Sequence, residues 1–279
     1  MVLDTNVLSE VLRRQPSLAV MKALHALRPE QRYCMNAATS SNNPRPEFSP
    51  GLHIQRFTPP LALHDFKLIA FDMDSTLINI ECVDEIADAA GRKAEVAAIT
   101  EAAMRGEIND YKQSLRQRVA LLKGVPVSAL QQVFDERLQL NPGAEALVLA
   151  CQAAGLKALL VSGGFTFFTD RICERLKLDF SRSNVLGVEQ GQLTGMLVDQ
   201  PWGDICDGDE KRRMLLATCA QLGIEARQAI AVGDGANDLP MMGVAGLSVA
   251  YHAKPAVREQ AMVAINDGGL DRLLEVLTP

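Results

Sequence analysis

The chain has 279 residues, a formal net charge of −6 and a hydrophobic fraction of 48%, a balance typical of folded globular proteins. Its negative charge argues against nucleic acid or an anionic membrane as the main partner. No uncharged apolar run is long enough to span a membrane, and the opening MVLDTNVLSEV lacks the basic region of a secretory signal. The six cysteines form no C-x-x-C pair, so a zinc site is not expected. These features predict a cytoplasmic protein.

The first 35 residues form a piece that does not match the rest of the chain. MVLDTNVLSEVLRRQPSLAV resembles the start of a PIN-type nuclease, in which Asp4 and Glu10 would match early motif acids. That fold needs further acidic strand ends well beyond residue 35, and none follows before the composition changes. We therefore expect residues 1–35 to be a PIN-like fragment or an accessory piece without nuclease activity.

Residues 36–65 have the composition of a linker. Five of the thirteen prolines fall between Pro44 and Pro60, among serine and asparagine, and the stretch shows no sustained hydrophobic period. The sequence therefore predicts a proline-rich tether that ends just before Phe66.

The main body alternates short apolar runs with amphipathic stretches. Buried parallel strands are nearly continuous in apolar residues, as these runs are: LIAF (68–71), ALLVS (158–162), AIAVG (229–233) and LSVAY (247–251). Crossover helices are predicted between them, and GVEQGQLTGMLV has the turn residues of a hairpin at Gln190 and Gly191. The fold class predicted is α/β, with a doubly wound parallel sheet.

Residues 80–140 show a different pattern, because helical segments follow one another there without a strand signal: DEIADAA, EVAAITEAAMRG, YKQSLRQRVALLKG and VSALQQVFDERLQ. A helical insertion after the first strand is best explained as a cap over that strand's carboxyl end. Residues 66–79 and 141–279 would then form the core.

Three of the predicted strands end in residues that can carry chemistry. Asp72-Met73-Asp74-Ser75-Thr76 follows the first, Ser162-Gly163-Gly164 the second, and Gly233-Asp234-Gly235-Ala236-Asn237-Asp238 the third. Each alone has an ordinary explanation, as a capped helix start, a glycine turn or a surface turn. Ligands of open α/β sheets bind at the carboxyl ends of strands, however, so the three turns are expected to share one crevice.

The combined set predicts phosphoryl transfer. Carboxylates from Asp72, Asp74, Asp234 and Asp238 would be costly to crowd together without cations, and their oxygen ligands suit a hard ion such as Mg²⁺. Lys211 adds a further positive charge, and the Ser-Gly-Gly turn exposes N–H groups that suit a phosphate.

These motifs, in this order, resemble those of the haloacid dehalogenase (HAD) superfamily. FDMDSTLINIECVDEIA, SLRQRV, LLVSGGF and AVGDGANDLPM are closer still to its phosphoserine phosphatase family, and the resemblance covers about Phe66 to Leu277. The resemblance implies an HAD-like core with a helical cap. It also implies that Asp72 is the nucleophile and Asp74 the general acid and base.

The resemblance assigns further roles. It implies that Mg²⁺ is held by Asp72, the main-chain carbonyl of Asp74 and Asp234, with Asp238 supporting the metal from behind. It assigns phosphate and substrate contacts to four positions, namely Ser162, Gly163, Lys211 and Asn237. Glu81 and Arg118 match the cap positions that bind the amino-acid part, although solvated helix charges would be the ordinary interpretation of both.

The activity implied is hydrolysis of O-phospho-L-serine to L-serine and phosphate, the last step of serine biosynthesis, by a phosphoric monoester hydrolase. An alternative is a related phosphatase or phosphotransferase acting on another small phosphomonoester such as phosphohomoserine. Two other classes are weighed: a PIN-type ribonuclease, disfavoured by the missing acids, and a non-catalytic metal-binding module, disfavoured by the presence of both Asp72 and Asp74. The partner expected is a small-molecule substrate, and the sequence is compatible with a homodimer.

Overall fold

The computed structural model of the chain describes residues 47–104 and 110–278. The N-terminal piece at residues 1–35, with Asp4 and Glu10, lies outside the described residues, and so does the first part of the predicted linker. Among the described residues, no helix is both long enough and apolar enough to cross a membrane.

A nine-stranded sheet forms the centre of the fold. Its strand order is β1-β2-β10-β9-β8-β4-β5-β6-β7, and the six strands from β10 to β6 run parallel, while β1, β2 and β7 pair antiparallel. A separate pair is formed by β3 and β11. The strands are β1 (Glu47–Ser49), β2 (Leu52–Ile54), β3 (Leu61–Ala62), β4 (Leu68–Phe71), β5 (Lys157–Phe165), β6 (Phe180–Glu189), β7 (Gln192–Val198), β8 (Ala229–Gly233), β9 (Leu247–Tyr251), β10 (Val263–Ile265) and β11 (Leu277–Thr278).

Helices connect the strands and cover the sheet. The α-helices of the described residues are α1 (Cys82–Ala89), α2 (Lys93–Met104), α3 (Tyr111–Ala120), α4 (Val127–Glu136), α5 (Ala144–Ala153), α6 (Thr166–Leu176), α7 (Gly208–Leu222), α8 (Leu239–Met242) and α9 (Pro255–Gln260). The predicted α/β fold class with a parallel sheet is confirmed, and the predicted hairpin is formed by β6 and β7.

The central strands are buried on both faces, which explains their continuous apolar runs. In β4, Ile69 and Phe71 belong to one hydrophobic cluster, whereas Leu68 and Ala70 belong to another on the opposite face. Successive side chains of a strand point to opposite faces, so each face of the sheet needs its own apolar cover. The two clusters hold the carboxyl ends of β4, β5 and β8 in fixed register.

The second half of the predicted linker differs from a tether. Residues 47–54 form a hairpin whose second strand, β2, pairs antiparallel with β10, and residues 61–62 pair with β11. Leu52 is fully buried in the core, and burial of its side chain stabilises the packing of this segment. The proline-rich composition gives no indication of this packing. The ordered fold therefore begins no later than residue 47, whereas the sequence predicts that it begins at Phe66.

Of the five described α-helices between β4 and β5, the first four, α1 to α4, lie within residues 80–140, which we refer to as the cap. Its two connections to the core run side by side, joined by a β-bridge between Ile78 and Leu140. The Asn141 side chain donates hydrogen bonds to the carbonyl oxygens of Thr76 (2.8 Å) and Ile78 (2.9 Å). The cap thus leaves and re-enters the core directly beside the turn that follows β4.

Candidate active site

The carboxyl end of β4 places Asp72 above the middle of the sheet, next to β8 and β5. The residue is only 5% exposed, and its Oδ1 accepts a hydrogen bond from Lys211 Nζ at 2.6 Å. The same ammonium donates to Asp238 Oδ1 at 2.7 Å. Lys211 comes from α7 and is fully buried, so it lies between two carboxylates with no solvent around it.

Three carboxylates meet at this point. Ligand oxygens of Asp72, Asp234 and Asp238 all lie within 4.8 Å of one another. The pKa of Asp234 is raised to about 7, mainly by burial and next by repulsion from Asp238. Burial also raises the pKa of Asp72 well above its usual range, with Asp238 adding to the rise and Lys211 opposing it. A single ammonium against three carboxylates leaves an excess of negative charge, so these residues fit a divalent cation with oxygen ligands.

Asp74 lies in the turn after β4, and Ser75 beside it adopts a left-handed backbone conformation with φ of 57°. The pKa of Asp74 is raised to about 7, mainly by burial and next by the carboxylate of Glu81, while hydrogen bonds from Cys82 oppose the rise. Asp74 Oδ1 has no hydrogen-bond partner in the described part of the chain. A carboxyl group with this pKa carries a proton for about half of the time near neutral pH, as a general acid requires.

The Ser-Gly-Gly segment differs from the turn that the sequence predicts. It lies inside the bounds of β5, where the pairing register with β6 shifts between Val161 and Phe165. Ser162 is fully buried, and its Oγ accepts a hydrogen bond from the Gly164 N–H at 2.8 Å. The buried hydroxyl therefore holds the backbone at the end of the strand, whereas Gly163 and Gly164 line the cavity.

Both glycines leave room for neighbouring side chains to approach closely. A Cβ on Gly163 would lie 1.9 Å from the hydroxyl oxygen of Tyr111 in the cap, and one on Gly164 would lie 2.9 Å from Asp74 Oδ2. Asn184 Nδ2 donates to the Gly163 carbonyl at 2.8 Å, which fixes the segment from the side of β6. Tyr111 and Asn184 are site residues that sequence reasoning missed; a helical spacing of seven places Tyr111 on the same face as Arg118 and could have found it.

A cavity of about 750 Å³ lies between the cap and the carboxyl ends of the strands. The predicted site residues in its wall are Asp72, Asp74, Glu81, Arg118, Gly163, Asp234 and Asn237. Ser162, Lys211 and Asp238 are fully buried behind the wall. The fold therefore brings all ten predicted site residues to one place, but three of them lie beneath the cavity surface.

The cap side of the cavity carries an arginine with a buried N–H donor that has no hydrogen-bond partner among the described residues. Arg118 is 14% exposed, and its Nη1 lies 4.0 Å from Asp84 Oδ1, too far for a hydrogen bond. Arg118 Nε and Asp84 Oδ1 are both buried without a hydrogen-bond partner in the described residues. Glu81 Oε1 accepts a hydrogen bond from Ser75 Oγ at 2.8 Å. A buried guanidinium with a free donor fits a ligand that brings an anion into the cavity.

Comparison with known proteins agrees with this geometry. Residues 66–246 match the family model of haloacid dehalogenase-like hydrolases. The phosphoserine phosphatase of Polaromonas sp. (strain JS666 / ATCC BAA-500) is 77% identical over 231 residues, which cover 83% of this chain and 98% of the relative. The phosphoserine phosphatase of Haemophilus influenzae is 48% identical over 222 residues, covering 80% of this chain and 68% of that protein.

Solved structures give the same result. A phospho-aspartyl intermediate analogue of phosphoserine phosphatase superposes with a TM-score of 0.70 and 39% identity, covering 76% of this chain and 99% of the other. A substrate-bound phosphoserine phosphatase complex gives a TM-score of 0.69 and 38% identity, with coverage of 76% and 99%. The chain therefore belongs to the phosphoserine phosphatase family of haloacid dehalogenase-like hydrolases.

Proposed function

We propose that this chain hydrolyses O-phospho-L-serine to L-serine and phosphate through an aspartyl phosphate on Asp72. In this proposal residues 66–79 and 141–279 form the catalytic core, and residues 80–140 form the cap that recognises the amino acid. The observation that carries the proposal is the position of Asp72, which lines the cavity at the end of β4 while Lys211 holds its Oδ1 from below. We further propose that this reaction is the last step of serine biosynthesis and that it takes place in the cytoplasm.

Mg²⁺ is the cation that we propose for the acidic cluster. Asp72, Asp234 and the main-chain carbonyl of Asp74 would hold it. Asp238 supports them from behind, because its Oδ2 accepts the Asp234 and Gly235 N–H groups at 3.2 and 3.0 Å. When bound, a divalent cation neutralises phosphate oxygens, so that an anionic carboxylate can approach phosphorus.

In the first half-reaction Asp72 attacks the phosphorus atom and the bond to the serine oxygen breaks. A serine alkoxide is a poor leaving group, and the proton that it needs comes from Asp74, a buried carboxyl group whose pKa is raised to about 7. Lys211 keeps one oxygen of Asp72 fixed and charge-balanced, which leaves the other to act as the nucleophile. L-Serine leaves, and the phosphoryl group remains on Asp72.

In the second half-reaction a water molecule attacks the aspartyl phosphate. Asp74, now ionised, takes a proton from that water, and inorganic phosphate and free Asp72 are regenerated. Gly163 and Asn237 line the cavity where the phosphoryl oxygens would lie, and Gly163 offers a main-chain surface without a side chain. Ser162 contributes through the strand end that it shapes.

The cap would recognise the amino-acid part. Arg118 has a buried Nε donor free for the substrate carboxylate, and a planar guanidinium fits a carboxylate through two parallel hydrogen bonds. Glu81 lines the same cavity and suits the ammonium group. Placing a cation and an anion on one wall gives the site a way to prefer an amino acid over a simple phosphate ester.

The test is a phosphate-release assay on phosphoserine, phosphothreonine, phosphohomoserine and p-nitrophenyl phosphate, with Mg²⁺ and with a chelator. Phosphoserine should have the highest kcat/KM, and chelation should remove turnover of all four. Asp72→Asn serves as the control for a contaminating phosphatase. A preference for phosphohomoserine, or transfer of phosphate to an added alcohol without release, would favour the alternative phosphatase or phosphotransferase.

A further inference from the structure

Helix α3 of the cap has two working faces. Tyr111, Ser114, Leu115 and Arg118 recur at helical spacing and line the cavity. Lys112 and Arg116, one turn apart, lie on an adjacent face and pair with acids of the core, one of which, Asp207, also lines the cavity. The helix that carries the substrate-binding arginine is thus also the helix that contacts the core through charges.

The charge contacts converge on the core segment just before α7. Lys112 Nζ lies 2.8 Å from Asp204 Oδ1 and 3.4 Å from Asp207 Oδ2, and Arg116 Nη2 donates to Asp204 Oδ2. Asp204 Oδ1 also accepts the Ile205 N–H at 2.9 Å, which fixes the carboxylate on its own loop. In the described part of the chain, every ion pair between cap and core ends on Asp204 or Asp207.

Asp207 links these contacts to α7, the helix that carries Lys211. It is the N-cap of α7, and its Oδ1 accepts the Glu210 N–H at 2.9 Å. The next residue along that helix is Lys211, which holds Asp72. The other end of α3 is secured differently, through main-chain hydrogen bonds between residues 124–127 and the β6–β7 hairpin. The ion pairs therefore join the first turns of α3 to the core, and the main-chain hydrogen bonds join the segment that follows the helix.

We propose that Lys112, Arg116, Asp204 and Asp207 form a latch that holds the cap closed over the substrate, so that Lys112 and Arg116 are positioning residues for Arg118. This inference rests on the proposed function for its substrate. The latch residues lie at the surface, with Lys112 33% and Asp204 38% exposed, so each pair contributes modestly and can open and close in each cycle. A looser latch lowers the closed fraction and thus raises KM without touching the reacting atoms.

The experiment compares Lys112→Gln with Lys93→Gln. Lys93 is a cap lysine whose ion pair, to Asp88 at 3.7 Å, stays within the cap. Hydrogen–deuterium exchange of the substrate-free protein should be faster across α3 in Lys112→Gln and unchanged in Lys93→Gln. The KM for phosphoserine should rise about two- to fivefold in Lys112→Gln, with kcat changed less than about twofold. Asp204→Asn should raise KM as well, and adding Lys112→Gln to it should raise KM by a smaller factor than Lys112→Gln does alone, because only the pair with Asp207 is then left to lose.

The proposal is overturned if Lys112→Gln matches Lys93→Gln in exchange or in KM, or if the two latch substitutions are additive. Exchange needs no substrate, so it judges the latch even if phosphoserine is not hydrolysed. Failure of the unmodified protein to release phosphate from phosphoserine would instead count against the proposed function.

Discussion

Replacing Lys211 with methionine should destabilise the protein strongly and in a pH-dependent way. The ammonium is fully buried between Asp72 at 2.6 Å and Asp238 at 2.7 Å. At an effective dielectric constant of about 20, each contact corresponds to an attraction of about 6 kcal/mol, much of which offsets the cost of burying the charges. Removing one partner of a buried ion pair costs about 3–5 kcal/mol, and we expect a loss of this size in the free energy of unfolding, measured with urea in a chelating buffer near pH 8.

The direction of the pH effect follows from Asp72. Burial already raises its pKa in the folded protein, and loss of Lys211 raises it further. A carboxyl whose pKa is higher in the folded state than its unfolded value of about 4 binds protons more tightly when folded, so stability is lost as pH rises above that value. The deficit of Lys211→Met should therefore shrink towards about pH 5 and grow towards about pH 8.

Lys157→Met is the matched control, since Lys157 is 53% exposed and its ion pair with Asp179, at 2.5 Å, is at the surface. It should lose no more than about 1 kcal/mol. Adding Asp238→Asn to Lys211→Met should recover part of the stability, because it removes one of the two uncompensated carboxylates. A deficit equal to that of the control, or one that does not vary with pH, would refute this account of the buried charges.

Three further outcomes are expected. Asp72→Asn should abolish turnover, because an amide is a negligible nucleophile, and should leave the circular dichroism spectrum unchanged, because asparagine is nearly isosteric with aspartate. Activity in the purified variant would exclude the covalent route. Arg118→Ala should lower kcat/KM for phosphoserine roughly ten- to a hundredfold and that for p-nitrophenyl phosphate much less, whereas equal losses would indicate a damaged cap. Removing residues 1–46 should leave kcat within a few-fold of that of the full chain. Removing residues 1–60 also deletes the hairpin that pairs with β10, and should lower Tm by at least about 5 °C relative to the shorter truncation. Equal Tm values for the two truncated proteins would show that the hairpin does not contribute to stability.

The fold was predictable where its signals are local. β4, β8 and β9 are short runs buried on both faces, and their bounds in the structure equal the predicted ones. The edge hairpin was not predictable, because its two strands have three residues each and its partner, β10, lies about two hundred positions further along the chain. No local pattern encodes a pairing at that distance, and Pro46 and Pro50 made the segment read as a tether.

The site shows the same division. The acids at the ends of β4 and β8 could be placed together from the sequence, since those strands had only to be parallel neighbours. The burial of Ser162 behind the cavity wall could not be predicted, because it depends on a shift in the pairing register of β5 and β6 that no sequence motif indicates. Tyr111 was missed because its role lies in how closely the cap approaches Gly163, a property of two segments about fifty residues apart.

The arrangement of the sheet and cap also bears on how such enzymes can diversify. Asp72 and Asp234 follow two adjacent strands, so their separation is set by the spacing of a hydrogen-bonded sheet with an apolar cluster on each face. Arg118 and Glu81 belong to a segment that enters and leaves the core beside a single bridge, at Ile78 and Leu140. With the roles proposed for Arg118 and Glu81, substitutions within the cap would change which alcohol is recognised and would leave the phosphoryl-transfer residues of the core unchanged.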